Sequence, residues 1–182
     1  MNQTTNQSCL PDLPANLSTT RFSLRPVTAN DATFFWRHFS DPTIMAYIRE
    51  PASDKQAFQA IFLDDLAAGE KYRHYRMIID PPTNDTIGII LIRPFSESPV
   101  PLAAPIMEMG YMVTQKWWGK GVAYEVAHFY HQTAINHWGL DQMLAVVQPE
   151  NRASVRVLEK CGFKATNKTS ADGKAVVYQW RA

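Results

Sequence analysis

Between residues 106 and 148 the chain runs from one apolar, β-rich segment through a glycine-bearing loop and a long helical stretch into a second apolar segment. Ile106 to Thr114 and Gln142 to Gln148 read as strands, and Gly119 to Trp138 as a helix closed by Gly139. Two strands joined in this way lie parallel in one sheet, and the connection between them is right-handed. Gln142 to Gln148 is apolar at most positions, so burial on both faces is expected. In such a unit ligands sit beyond the carboxyl ends of adjacent parallel strands. Two segments leave that edge, Gln115 to Gly121 and Pro149 to Ser154, and any chemistry is expected there.

The first of them, Lys116-Trp117-Trp118-Gly119-Lys120-Gly121-Val122-Ala123, links strand to helix. Glycines at 119 and 121 let backbone N–H groups converge, and the helix start adds its positive pole, which suits a pyrophosphate. The loop lacks the Ser or Thr after Gly-Lys that a Walker A loop needs, and the third glycine of a dinucleotide fingerprint. Gly-x-Gly by itself also serves simply to turn a chain.

Around this unit the pattern implies a single domain. A length of 182 residues is ample for one core. Residues 1–18 are rich in Asn, Gln, Thr, Ser and Pro and read as a flexible tail, with the domain spanning 19–182. Arg21 to Val27 reads as a strand, and Thr28 or Asn30 caps a helix over Ala32 to Phe39. Asp41-Pro42 opens a short helix running through Tyr47. Asp54 to Ala68 is a third helix, with Phe58, Ile61, Phe62 and Leu66 on one face and Gly69 as its stop. Tyr72 to Asp80 and Thr86 to Arg93 form a hairpin, and Phe95 to Pro105 is a proline-rich loop. Asn151 to Lys160 is a helix ended by Gly162, and Phe163 to Lys168 with Ala175 to Trp180 make a last hairpin around Asp172-Gly173.

Composition removes several function classes. Eighteen basic against seventeen acidic residues give a formal charge of +1, which provides no general field for nucleic acid or an anionic membrane. No apolar run is long enough for a membrane span, and the N-terminus lacks the pattern of a secretory signal, so a cytoplasmic protein is expected. Cys9 and Cys161 make neither a disulfide framework nor a four-ligand zinc site. His128 and His131 are three apart on a helix but have no evident third ligand, so no metal is expected.

Arg152, Arg156 and Lys160 repeat at four-residue spacing on the helix after Asn151, either as a solvated stripe or as phosphate contacts. The two segments together resemble the GCN5-related N-acetyltransferase (GNAT) superfamily, and within it the RimJ/RimL-like ribosomal-protein N-terminal acetyltransferases. The resemblance runs from Leu17 onward. It is carried by Leu17-Ser-Thr-Thr-Arg21-Phe-Ser-Leu24-Arg25-Pro26, Asp31-Ala32, Ser40-Asp41-Pro42-Thr-Ile-Met45, Gly110-Tyr111, Trp118-Gly119-Lys120-Gly121, Asn151-x-x-Ser154 and Leu158-Glu159-Lys160-x-Gly162-Phe163. Lys116 departs from the Gln or Arg usual at its place, and the 94–105 loop departs on the acceptor side.

The resemblance implies an α/β (α+β) GNAT fold: one mixed, mostly antiparallel sheet with a central parallel β-α-β unit, flanked by helices. It implies acetyl-CoA in a V-shaped gap between strands 106–114 and 142–148. Met112, Val113 and Thr114 would pair with the pantetheine arm by backbone. Gly119, Lys120, Gly121, Val122 and Ala123 would hold the pyrophosphate, Trp118 would belong to the same cofactor-binding loop, and Asn151 would hydrogen-bond the cofactor. The implied activity is acetyl transfer to a primary amine, foremost a protein N-terminal α-amino group. A polyamine, amino acid or aminoglycoside acceptor and a non-catalytic acyl-CoA-binding module are the rivals. Glu108, on one strand face with Ile106, Gly110 and Met112, stands beside a missing side chain and is the candidate base, against a simple arginine-paired glutamate. Glu125 is the weaker rival. Ser154 is the candidate donor to the leaving thiolate, and a backbone N–H near Met112 or Val113 the oxyanion donor. Tyr111 and Tyr124 read as core or cofactor wall, Cys161 as a buried small residue, and Trp117-Trp118 as packing. The final hairpin suggests a homodimer through an exposed edge.

Overall fold

Apolar, β-rich segments at 74–80, 85–94, 107–113 and 142–147 form strands, and the computed structural model, which describes residues 13–67, 74–95 and 106–182, joins them into one sheet. The strands are β1 Leu17–Ser18, β2 Ser23–Pro26, β3 His74–Asp80, β4 Asp85–Pro94, β5 Met107–Val113, β6 Gln142–Val147, β7 Lys164–Thr169 and β8 Val176–Arg181. Their spatial order is β1-β2-β3-β4-β5-β6-β8-β7. Only β5 and β6 pair in parallel, and every other neighbouring pair is antiparallel. This is the mixed sheet that the sequence implies, with the last hairpin entering so that β8 lies between β6 and β7.

Helices cover both faces. On one side lie α1 Ala32–Phe39, α2 Pro42–Met45 and α3 Lys55–Ala67. Phe35, Met45 and Phe62 from these helices pack on Met77, Ile79, Ile89 and Met112 of the sheet. On the other side lie α4 Val122–Trp138 and α5 Arg152–Lys160, whose Val126, Tyr130, Val155 and Leu158 join Ile87, Ile90, Ile92 and Met109. Among the described residues no helix is long and apolar enough to cross a membrane.

Local chemistry explains the boundaries. Thr28 and Asp31 form a reciprocal capping box before α1. The Asp41 carboxylate accepts from the amides of Thr43 and Ile44 to start α2, with Pro42 at its first position. Arg25 clamps Asp31 through both Nη atoms, at 2.8 and 2.7 Å. Burial pushes the Asp31 carboxyl up, but bonds from Arg25 and Thr28 outweigh it and hold it below the usual range. Gly88 in β4 permits a close approach of β5, because a Cβ there would lie 2.5 Å from the Met112 carbonyl oxygen.

Three expectations change. The helix expected from Gly119 starts at Val122, because Gly119 and Gly121 take φ of 72° and 78° and cannot be helical. Ile61 is 63% exposed, so only Phe58, Phe62 and Leu66 of its expected face meet the core. The part of the tail between 13 and 18 is built into the domain: Leu13 is 2% exposed, and β1 pairs with β2. Buried Arg76 secures this segment by donating to the carbonyls of Leu13 and Pro14. Gly69 and residues 96–105 lie outside the described residues.

His131 lies fully buried on α4 against the rings of Phe163 and Trp180. Burial, aided by repulsion from His128, pushes its pKa down to about 4. A depressed histidine favours the native state above its unfolded value and loses that advantage as pH falls. Between the ordinary value near 6.5 and about 4, this loss amounts to about 3 kcal/mol. Urea unfolding of the wild type and His131→Gln at pH 7 and pH 4 measures it. The variant should lack that part of the pH dependence, and equal slopes would place the titration elsewhere.

Candidate active site

The sheet opens in its middle. β5 and β6 register only at Met107 with Met143 and Glu108 with Leu144, near their amino ends, and then part. On their outer sides each strand stays fully paired, β5 with β4 and β6 with β8. In an antiparallel pair, backbone groups turn alternately toward and away from the partner. Thr114 donates to Ile87, and the Met112 carbonyl faces Gly88, so both turn toward β4. Of the three residues expected to pair with an extended ligand, Val113 is therefore the one whose backbone faces the gap. Its carbonyl accepts from the Trp118 indole at 2.7 Å, which leaves its N–H directed there. Trp118 is otherwise 47% exposed and lines the same cavity as Gly119, Gly121 and Ala123.

The loop before α4 is held from outside. Glu125, in the first turn of α4, accepts from the Thr19 hydroxyl at 2.6 Å and from the Arg21 amide and Nε at 2.9 and 2.6 Å. Arg21 also donates to the Lys120 carbonyl at 3.2 Å. Burial would raise the Glu125 carboxyl, but these bonds prevail and lower it. Glu125 thus ties the chain before β2 to the loop, and Arg21 is the positioning residue that sequence reading did not single out. Lys120 rests its ammonium 5.1 Å from the Trp117 ring centre. Gly119 and Gly121 need their positive φ, and a Cβ on Gly119 would meet no protein atom within 4 Å.

Where α5 begins, the Asn151 side-chain oxygen accepts from the Ser154 amide at 3.1 Å, an N-cap that leaves only its NH2 group for a ligand. The Ser154 hydroxyl and the Tyr111 phenol lie 2.9 Å apart, and the phenol also donates to the Ser154 carbonyl at 3.2 Å. Burial holds Tyr111 well above the ordinary tyrosine range, so it stays a protonated donor beside Ser154. Tyr111 was legible only as wall; the alternation that turns Glu108 and Gly110 to one face turns it to the other. Arg156 and Lys160 of the basic stripe border the cavity, and Lys160 sits 5.6 Å from the Tyr124 ring.

Glu108 lies on the face shared with α1–α3, across β5 from Tyr111. Arg93, its cross-strand partner, places Nε 3.2 Å from the carboxylate. A Cβ at Gly110 would be in ordinary contact with Leu91 at 3.6 Å, so the space beside Glu108 comes from the wider groove and not from the glycine. That groove continues between Phe58, Leu66, Tyr75 and Leu91. Cys161 is buried as expected, and burial pushes its thiol up to about 11. Among the described residues no cluster could hold a metal ion.

Residues 21–164 match the family described as the acetyltransferase (GNAT) domain, and the chain belongs to that family. It is 31% identical over 150 residues to the uncharacterized protein YkkB of Bacillus subtilis, covering 81% of this chain and 84% of that one. Among solved structures, an acetyltransferase from Agrobacterium tumefaciens superposes with a TM-score of 0.78 at 24% identity, covering 94% of this chain and 96% of that one. The aminoglycoside acetyltransferase AAC(6')-Ib, solved with coenzyme A, gives 0.73 at 17% identity over 88% and 94% of the two chains. The ribosomal-protein-S5-alanine acetyltransferase of Vibrio fischeri gives 0.69 at 15% identity over 92% and 97%. At such identities these structures show the GNAT fold and leave the acceptor open.

Removing the anchor of the loop tests its role. Glu125→Ala should cost roughly 2 kcal/mol, since it strips a charged acceptor from several donors. Urea unfolding should show that loss, and amide exchange should quicken at Arg21 and Gly121. Unchanged exchange there would mean that the loop holds itself.

Proposed function

We propose that this GNAT-type acetyltransferase moves acetyl from acetyl-CoA to a protein N-terminal α-amino group in the cytoplasm, by direct attack within a ternary complex. The observation that carries the reading is the parted β5–β6 pair, with the Val113 N–H facing the gap and Glu108 and Ser154 flanking it from opposite faces of the sheet. An extended ligand arm in the gap would replace the missing strand contacts. The Gly119–Gly121 turn and the start of α4 would meet the pyrophosphate, with the Asn151 NH2 as a further donor.

In this reading the acceptor ammonium gives a proton through water to Glu108, because an ammonium has no lone pair. The freed nitrogen bonds to the thioester carbon, and the Val113 N–H steadies the oxyanion. The carbon–sulfur bond breaks, the thiolate takes a proton from the Ser154 hydroxyl or from a water that it orients, and the second proton, shed by the acylated nitrogen, restores that donor through water, with the Tyr111 phenol behind it. The charge of the acceptor half favours an amine with one positive charge. Asp65 and Glu108 are matched there by Arg49 and Arg93, which suits a polyamine or aminoglycoside poorly. A homodimer through the β7 edge belongs to the same proposal, although exposed Lys164 and Lys168 on that strand are of the kind that guards an edge.

Two measurements test the reading. Gly119→Val adds bulk where no protein atom lies within 4 Å and also strains a turn whose φ is 72°, so it disturbs both the space and the shape that the loop offers a ligand. Acetyl-CoA affinity by calorimetry should drop at least tenfold, about 1.4 kcal/mol. Unchanged affinity in a folded variant would remove the loop from the site. For the chemistry, Glu108→Gln should lower turnover by roughly two orders of magnitude, with a deficit that shrinks as pH rises and free amine becomes available. Ser154→Ala should lose only about tenfold, with little relief at high pH. Wild-type rates for Glu108→Gln at neutral pH would end its role as base.

A further inference from the structure

Two arginine–carboxylate pairs in this chain are built differently. Arg25 grips Asp31 with both Nη atoms, the bidentate form suited to holding structure together. Arg93 meets Glu108 through Nε alone, at 3.2 Å, a long contact for a charge-assisted bond. Its two Nη atoms have no partner among the described residues. The Arg93 side chain is 39% exposed and that of Glu108 13%, and both line the groove on the α1–α3 side. The pair is fixed by register, since the two residues face one another across β4 and β5. Opposite charges therefore stand side by side at the groove floor.

We propose that Arg93 is a specificity residue that binds the carbonyl oxygen next to the reacting amine, so that the acceptors are α-amino carbonyl compounds. The proposal rests on the acetyltransferase reading above and names what its acceptor half selects. In an N–Cα–C=O unit the nitrogen and oxygen lie roughly 3 Å apart, given standard backbone dimensions. That short span lets one acceptor reach two side chains that stand next to each other across β4 and β5. The ammonium, with the water that links it to Glu108, takes the place that Arg93 Nε holds in the free protein, and the guanidinium turns its Nη donors to the carbonyl. An amine without that oxygen leaves Arg93 unpaired, and a second cation on the acceptor is repelled by it. Both a peptide N-terminus and a free amino acid carry the required unit. Phe58, Leu66, Tyr75 and Leu91 offer an apolar wall for the side chain.

The test uses three acceptors with one body: a phenylalanine-leading peptide, free phenylalanine, and phenethylamine, which lacks the carbonyl. Initial rates with acetyl-CoA are compared for the wild type and Arg93→Met, with Arg93→Gln in reserve should the first not fold. Acetyl-CoA affinity is checked by calorimetry. The wild type should favour an α-carbonyl acceptor over phenethylamine by roughly 30-fold in kcat/KM. Arg93→Met should cut that ratio at least tenfold, mainly through KM, and Arg93→Lys should restore part of it. A ratio untouched by the substitution, or a wild type that prefers phenethylamine, overturns the proposal while leaving acetyl transfer in place. Acetylation of free phenylalanine but not the peptide, lost in Arg93→Met, upholds Arg93 and removes the N-terminal acceptor. No amine-dependent thiol release from any of the three overturns both.

Discussion

Everything at the site depends on two adjacent strands that begin together and then separate. Met107 and Glu108 lie against Met143 and Leu144, and beyond them the parallel partners part. Such a break would be unstable if either strand could drift, since unpaired backbone inside a sheet is costly. Here each lip is anchored from behind. β5 keeps register with β4 from Gly88–Val113 to Pro94–Met107, and β6 keeps register with β8 along its whole length. Gly88 helps the first of these by allowing the Met112 carbonyl to come close. The Trp118 indole then satisfies one carbonyl that the parting exposes, that of Val113.

The second requirement is a loop that reaches this break in a fixed pose. Positive-φ glycines allow the turn but do not hold it, because glycine gains in freedom what it lends in shape. The hold comes from Glu125 and Arg21, which join the chain before β2 to the first turn of α4. The segment from Leu13 to Phe22, of which the part up to Ser18 reads by composition as a flexible tail, therefore helps to place the loop before α4. Its burial is visible in Leu13 and in the bonds from Arg76.

How much of this was legible in the sequence follows the range of the forces involved. Local signals were easy to see. The caps at Thr28 and Asp41 and the glycine at 139 delimit α1, α2 and α4 because they act within one turn. The crossover from β5 through α4 to β6 was readable from period and length alone. The parting of β5 from β6 was not, since apolar residues run on past the last paired positions and nothing in them marks where pairing stops. The contact of Arg93 with Glu108 depends on the register of a hairpin whose connection is long, and that of Tyr111 with Ser154 on how α5 meets β5. Ile61 misled because a helical stripe shows which residues share a face, not whether that face meets core or groove.

One link spans the two halves of the site. His38 of α1 accepts or donates at both ring nitrogens, to the Phe34 carbonyl at 2.8 Å and to the Thr114 hydroxyl at 2.9 Å. Burial lowers its pKa, so the ring is neutral and carries one proton; with Nδ1–H given to Phe34, Nε2 accepts from Thr114. Thr114 is the last residue before the loop that leads to α4, while α1 gives Phe35 and Phe39 to the wall of the groove that holds Glu108 and in which the proposed acceptor would lie. A shift of α1 to admit a bulkier acceptor would pull on the same residue that sets the loop's starting point. Among the described residues, α2 and α3 carry no such tie to the loop. Divergence toward new acceptors can then proceed through α2 and α3 with little effect on the acetyl donor's side, whereas changes routed through α1 alter both sides together.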